Sequence, residues 1–459
     1  MAELIWDAFL SPLRVFGRPI PAKFTNIWRA WQAFEGHIDR NQVQLHRHYG
    51  SVVRIGPNAL SISDPSMIRV IYSTRNPWKK SEAYRPNDVL LNGQRMSNLF
   101  NTQDENWHNQ NILPIRNLWR MTKVLEYEPL IDETLKKFVD KLSAKFGRGP
   151  VCPADEWIGY VAWDVTANIS FGRHYGFIDQ EKDVDSLITD STMGLEYFAP
   201  VSQTPWVDHL LDKNPIVRIG PKPTLTGVLY AFKVVAEYQA ELKENKVKAG
   251  TVDHTLDKYV QLKETTLTCI LAGGDTTSAA MRAAVYYLTK NTDAYQKLVS
   301  ELSSTSLDLP AQWKDIRDLP CLDGVIRESM RLDPDVAMVF ECVAPEAGFT
   351  LPDGRYILAG TKVGINPGVT SRDYAIFGED ADDFRPDRWL RRDYETAEQY
   401  EERHRRMNDT CDFVFGGGGR ICMGRHLAML EIKKLIATLY STFDLRLVDP
   451  KHEWTYRNA

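Results

Sequence analysis

"FVFGGGGRICMGRH" occupies Phe413 to His426, and how it is read decides how the rest of the chain is read. Four consecutive glycines are entropically costly to order, so they mark a backbone path with unusual dihedrals or a very close approach to something flat. Cys422 follows three residues after the last glycine, directly before a stretch in which Leu427, Leu430, Leu435, Ile436 and Leu439 recur at helical spacing. That spacing predicts a helix from about Gly424 to Phe443, with the thiol at its N-terminus. Free backbone N–H groups and the positive end of the helix dipole favour thiolate there. A thiolate so held can ligate a metal as a single axial donor. Arg420, two residues earlier, is placed to meet an anionic group near the same plane.

The chain has 459 residues, 43% hydrophobic and 11% aromatic, which is enough to bury a large core. Its formal charge of −5 gives no electrostatic reason to expect a nucleic-acid partner. The six cysteines, Cys152, Cys269, Cys321, Cys342, Cys411 and Cys422, include no CxxC pair, which argues against a disulfide framework or a zinc ribbon. No stretch reaches the ~18 to 20 apolar residues of a membrane span. The opening is only patchily apolar, yet it carries Trp6, Phe9, Phe16, Trp28 and Trp31, which suit either a membrane surface or packing on the body.

Strand signals lie toward both ends. "SVVRIGPNALSIS" surrounds a Gly56-Pro57-Asn58 turn, and "GFTLPDGRYILAGTKVGI" carries a hairpin turn at Asp353-Gly354. Between them the chain reads as helix: Leu130 to Phe146 stopped by Gly147, then "LYAFKVVAEYQAELKENKVKAG", then a long helix from about Leu262 to Lys290. The expected fold is mainly α with a minor β part.

Three further stretches carry chemistry. "LAGGDTTSAA" (Leu271 to Ala280) is a poor helix interior, with two glycines and hydroxyls that can bond back to carbonyls. A local opening there makes a small polar notch in an apolar wall. "ESMR" places Glu328 and Arg331 on one helical face, and "FRPDRW" adds Arg388 downstream. "QDENWHNQNILPIRNLWR" offers Trp107 and His108.

The ordered set Phe415, Gly418, Arg420, Cys422 and Gly424 resembles the haem-binding signature of the cytochrome P-450 superfamily of haem-thiolate monooxygenases. "LHRHYGSVVRIGPNALSISDP" and "GLEYFAPVSQTPWVDHLLDKNP" further resemble the filamentous-fungal microsomal type, loosely the pisatin-demethylase-like group. The resemblance spans nearly the whole chain. It implies a single P-450 fold, with haem b between a long central helix and the Cys-bearing loop before the last long helix. Residues 1–45 would be an N-terminal membrane-proximal segment and residues 46–459 the haem-thiolate monooxygenase domain.

By the same resemblance Cys422 is the iron ligand, a thiolate that favours O–O cleavage. Phe415 lies beside it, Gly418 and Gly424 shape the loop, and Arg420 pairs with a haem propionate. Thr276 and Asp275 deliver protons to the reacting oxygen without flooding the site with water. Ala272, Gly273 and Val336 border the substrate pocket, with Tyr197 and Phe198 in its roof. Glu328, Arg331 and Arg388 form a buried structural ion triad. The pattern departs in two places. Isoleucine stands at 112 and Glu341-Cys342 replaces a common Pro-Arg pair, so two expected propionate arginines are absent. His108, Trp107 and Arg116 are the residues left to compensate.

The implied function is dioxygen-dependent oxidation of a hydrophobic small molecule, a fungal secondary metabolite such as a terpenoid, polyketide or phytoalexin. No GxGxxG fingerprint or flavin segment is visible, so electrons need a partner, and the donor that the resemblance implies is an NADPH-dependent flavoprotein reductase. Arg116, Arg120, Lys123, Arg405, Arg406 and Arg425 offer a basic face for it. The resemblance places a monomer on the cytosolic face of the endoplasmic reticulum membrane. The rival readings are a reductase-independent haem-thiolate isomerase, dehydratase or peroxygenase, and a non-enzymatic haem-binding electron carrier or sensor.

Overall fold

The computed structural model describes residues 10–147, 149–222, 225–244 and 268–454. Two short helices, α1 (Ile27–Phe34) and α2 (Ile38–Tyr49), lead into β1 (Val52–Gly56) and β2 (Ala59–Ile62). The short strands β3 (Lys79–Lys80), β4 (Val89–Leu91) and β5 (Gln94–Met96) follow. Helices then dominate: α3 (Glu105–Ile112), α4 (Glu128–Phe146), α5 (Ala154–Phe171), α6 (Leu187–Gln203) and α7 (Leu225–Lys243). The long α8 (Thr268–Lys290), α9 (Thr292–Ser304) and α10 (Pro320–Leu332) come next. Strands β6 (Cys342–Val343), β7 (Phe349–Thr350), β8 (Tyr356–Ile357) and β9 (Lys362–Ile365) precede α11 (Ala397–Cys411) and α12 (Arg425–Thr442).

The fold is mainly helical with small sheets, as the periodicities predict. Gly147 caps α4, and Gly424 and Phe443 flank α12. The start expected for the central helix, at Leu262, lies outside the described residues, as does Cys269's side chain. Helix α5 carries no clear amphipathic stripe because it has no solvent face: every residue from Trp157 to Phe171 is buried. A helix apolar on all sides belongs in the interior. It packs along α8 and α4, while α8 also meets α10 and α12. The largest apolar cluster runs through α4, α5, α8, α10 and α12, so the middle of α8 is held on several sides.

The main sheet has the order β1-β2-β9-β6-β3. β2 runs parallel to β9 and thus joins the two ends of the chain, with Ile62 opposite Ile365. β6 pairs antiparallel with both β9 and β3, which sets Lys80 directly across from Cys342. Leu13 and Phe16 are buried in the sheet-side cluster with Phe413, just ahead of the glycine run.

Candidate functional site

The glycine run forms two tight bends. Gly416 and Gly418 have φ of +76° and +60°, a region that strains any residue with a Cβ. A Cβ on Gly418 would lie 1.9 Å from the Tyr72 carbonyl oxygen, so the loop reaches that backbone only without one. Beyond the bends the Cys422 N–H donates to the Phe415 carbonyl at 2.7 Å, which turns the thiol away from the chain that carries it. Phe415 is half-buried against the main cluster.

Cys422 is exposed, yet burial pushes its thiol above the usual range. A side chain both accessible and surrounded by protein faces an internal cleft. The N–H groups of Gly424 and Arg425 at the start of α12 bond the sulfur and, with the Arg425 charge, pull the other way. For the free thiol, burial outweighs the helix terminus that the sequence reading stressed. A bonded metal ion reverses that balance, because it deprotonates a thiol outright.

On α8, Ala272 and Thr276 are exposed one turn apart, while Gly274 and Thr277 are buried. Their shared face borders open space, and the Thr276 hydroxyl donates back to the Ala272 carbonyl at 3.0 Å. The two glycines serve another side. A Cβ on Gly274 would lie 2.6 Å from the Trp163 indole, and one on Gly273 3.3 Å from Thr166 Oγ1. At both positions the absence of a Cβ lets α8 lie close to α5. Asp275 also turns to that side. Its carboxylate accepts from Trp163 Nε1 at 3.3 Å and from the Ser191 hydroxyl, and burial raises its pKa against those two bonds. No hydrogen bond joins Asp275 to Thr276 among the described residues.

Glu328, Arg331 and Arg388 meet in the core as a closed network. Glu328 accepts from Arg331 Nε and Nη2 at 2.9 and 2.8 Å, from Arg388 Nε at 2.8 Å and from Trp389 Nε1 at 2.9 Å. The remaining guanidinium donors reach the carbonyls of Ser371, Ala381, Phe377, Asp380 and Asp383, and Arg388 Nη1 also meets the Asp380 carboxylate at 3.0 Å.

Around Arg420 the arrangement differs. Asp104 caps α3 by accepting from the N–H groups of Asn106 and Trp107 at 2.9 and 3.0 Å. The next residue, Glu105, takes Arg420 Nη2 at 2.7 Å, and Arg420 also donates to the carbonyls of Leu99 and Thr102. His108 is 3% exposed, and its Nδ1 has no partner among the described residues. Burial, then the Arg420 charge, hold that imidazole down at about 4. Trp107 packs half-buried on the main cluster. Arg116 is exposed.

Val336 is half-buried. Its neighbour Asp335, which sequence reasoning passed over, has its carboxyl pushed well above the ordinary range by burial and then by Asp333, and its charge acts on the Cys422 sulfur. Phe198 is buried beside Met338 and meets Phe100 edge-on at 6.3 Å. Tyr197 instead donates its hydroxyl to Asp208 at 2.7 Å, within a polar network that includes Lys213, Asp212 and Arg218.

These residues fit a haem. A lone accessible sulfur suits a metal that brings its own equatorial ligands, and no group of three or more His, Cys, Asp or Glu could hold a metal ion among the described residues. The unpartnered His108 nitrogen and the carboxylate-gripping Arg420 suit a ligand with carboxylates.

The Cytochrome P-450 family model matches residues 18–458. The chain is 34% identical over 477 residues to the cytochrome P-450 monooxygenase cfoH of Aspergillus candidus, covering 100% of this chain and 88% of that protein. It is 34% identical to the cytochrome P-450 monooxygenase mpaDE of Penicillium roqueforti, covering 95% of this chain but 52% of that protein, so it spans about half of that relative. Against the cytochrome P-450 monooxygenase pkfB of Emericella nidulans the identity is 33%, covering 94% and 86%.

Proposed function

Because the chain belongs to the cytochrome P-450 family and is a monooxygenase of that family, we propose that it oxidises a hydrophobic small molecule of fungal secondary metabolism, such as a terpenoid, polyketide or phytoalexin. The observation that carries this reading is the Cys422 side chain, exposed just before α12, with the Gly424 and Arg425 backbone favouring its ionised form. Haem bound there supplies dioxygen activation, with a thiolate that favours O–O cleavage.

The chain's own residues do the rest. Gly424 and Arg425 hold the sulfur's negative charge. The Thr276 hydroxyl, on the open face of α8, handles the proton. Asp275 sits one residue away behind Trp163 and Ser191, so it acts as a reserve acid whose release requires that pair to part. Ala272, Val336 and Phe198 exclude water from the substrate side.

Electrons come from an NADPH-dependent flavoprotein reductase. Arg116, Arg120 and Arg406 are exposed, which supports a basic docking face. Two other members of the predicted set are locally neutralised, Lys123 by Glu126 and Arg405 by Glu402 and Asp409. No helix among the described residues is long and apolar enough to cross a membrane. Exposed apolar side chains support attachment to the endoplasmic reticulum surface: Ile27, Trp31 and Phe34 on α1, and Trp206, Ile216 and Val217 after α6.

A titration of the haem-loaded protein with hydrophobic metabolites tests the reading. A low-spin to high-spin shift is expected with a substrate, followed by oxygenated product when NADPH and reductase are added. Turnover of the same compound without reductase would instead support an isomerase, dehydratase or peroxygenase.

A further inference from the structure

We propose that Lys80 is a cofactor-anchoring residue: it binds a carboxylate of the haem together with Arg420 and His108. The proposal rests on the haem reading above, and it answers how the carboxylates are held when residues 112 and 342 are isoleucine and cysteine.

Two cations grip one loop from two sides. Arg420 donates to the carbonyls of Leu99 and Thr102, while Lys80 Nζ donates to the carbonyl of Phe100, next to Leu99. Adjacent residues are ~3.8 Å apart along the chain, so the two positive groups serve neighbouring carbonyls of the same short segment. The Lys80 backbone is tied in as well, since Gln103 Nε2 donates to its carbonyl at 3.1 Å. Strand pairing fixes the rest: β3 sets Lys80 opposite Cys342, where an arginine is missing.

The ammonium is aimed and not free to wander. It lies 4.1 Å from the Tyr84 ring centroid and 4.6 Å from that of Phe100, and aromatic faces stabilise a cation at such distances. Its field reaches both His108 and Cys342, as do those of Arg420 and Glu105. Lys80 is paired with Cys342 and shares the Leu99–Phe100 segment with Arg420, whose partner Glu105 lies one turn before His108 on α3, so the four residues converge where Arg420 already attracts a carboxylate of the chain itself. Arg116, the cation that sequence reasoning offered, is exposed and has no part in this cluster.

The test titrates apoprotein with haemin and with haemin dimethyl ester, whose carboxylates are masked, in the wild type, Lys80→Ala and Lys80→Arg. A charge-assisted bond predicts about 10-fold weaker haemin binding in Lys80→Ala, with most of the affinity retained in Lys80→Arg. For the dimethyl ester, Lys80→Ala and wild type should bind alike. Unchanged haemin affinity in Lys80→Ala would overturn the proposal, and so would equal losses with both porphyrins, which mean that Lys80 only supports the loop. The red-shifted band of the reduced carbonyl adduct, followed in the same samples, reports the sulfur ligand separately. If it persists in Lys80→Ala while haemin affinity is unchanged, this proposal fails and the haem-thiolate reading stands; if the wild type lacks it, the haem-thiolate reading fails.

Discussion

Glu328 and Glu105 each hold an arginine, and the company each keeps differs. Glu328 is fully buried and accepts from two arginines and a tryptophan, and the arginines' remaining donors end on backbone carbonyls and on the Asp380 carboxylate. Nothing in that network is left over for a ligand. Glu105 is 30% exposed and shares Arg420 with two carbonyls, beside a buried imidazole nitrogen that has no partner among the described residues. A satisfied polar cluster builds a core, and an incompletely satisfied one receives something. The same two residue types thus serve stability in one place and recognition in the other.

Breaking the closed cluster has the largest effect. Glu328→Ala leaves the Arg331 guanidinium buried without a carboxylate and Arg388 with Asp380 alone, a loss of about 3 to 5 kcal/mol. Urea unfolding should show it directly, with little or no folded protein recovered at 37 °C. Gly418→Ala comes next. Its Cβ meets the Tyr72 carbonyl at a positive φ, a strain of about 1 to 3 kcal/mol before the clash is added, so the Cys422 loop shifts and haem content per purified chain falls.

Glu105→Gln sharpens the comparison from the open side. Because the pair is partly solvated, its loss should cost about 1 kcal/mol or less, measured by the same urea titration. A cost equal to that of Glu328→Ala would erase the distinction between the clusters. The smallest effect concerns Glu431, 3% exposed, whose Oε2 has no partner among the described residues. Burial alone pushes its carboxyl well above the ordinary range, so the folded state binds that proton more tightly than the unfolded one. The stability it costs is absent below the unfolded value of about 4.3 and grows as pH rises. Glu431→Gln should therefore melt higher than the wild type at pH 8 and alike at pH 4.

The cysteine loop, the helix after it and the Glu328–Arg331–Arg388 set were legible in the sequence, because each is written in residues close together or in a periodic pattern. Helix α5 was not, since a helix buried all round shows no stripe. The direction of Asp275 and the use of Gly273 were also hidden. Both depend on Trp163, Thr166 and Ser191, which reach α8 only through tertiary packing. Lys80 carries no signal as one lysine of a pair, and acquires meaning only when β3 pairs with β6. Glu105 reads as an ordinary acidic residue in the first turn of a capped helix until Arg420 arrives from the far end of the chain.

The central claim is that Cys422 bonds iron through an ionised sulfur, and the absorption spectrum of the reduced carbonyl adduct tests it most directly. Wild type should show the strongly red-shifted band of a thiolate ligand, and Cys422→His should lose that shift while still holding haem. The same red-shifted band in both proteins would contradict the assignment.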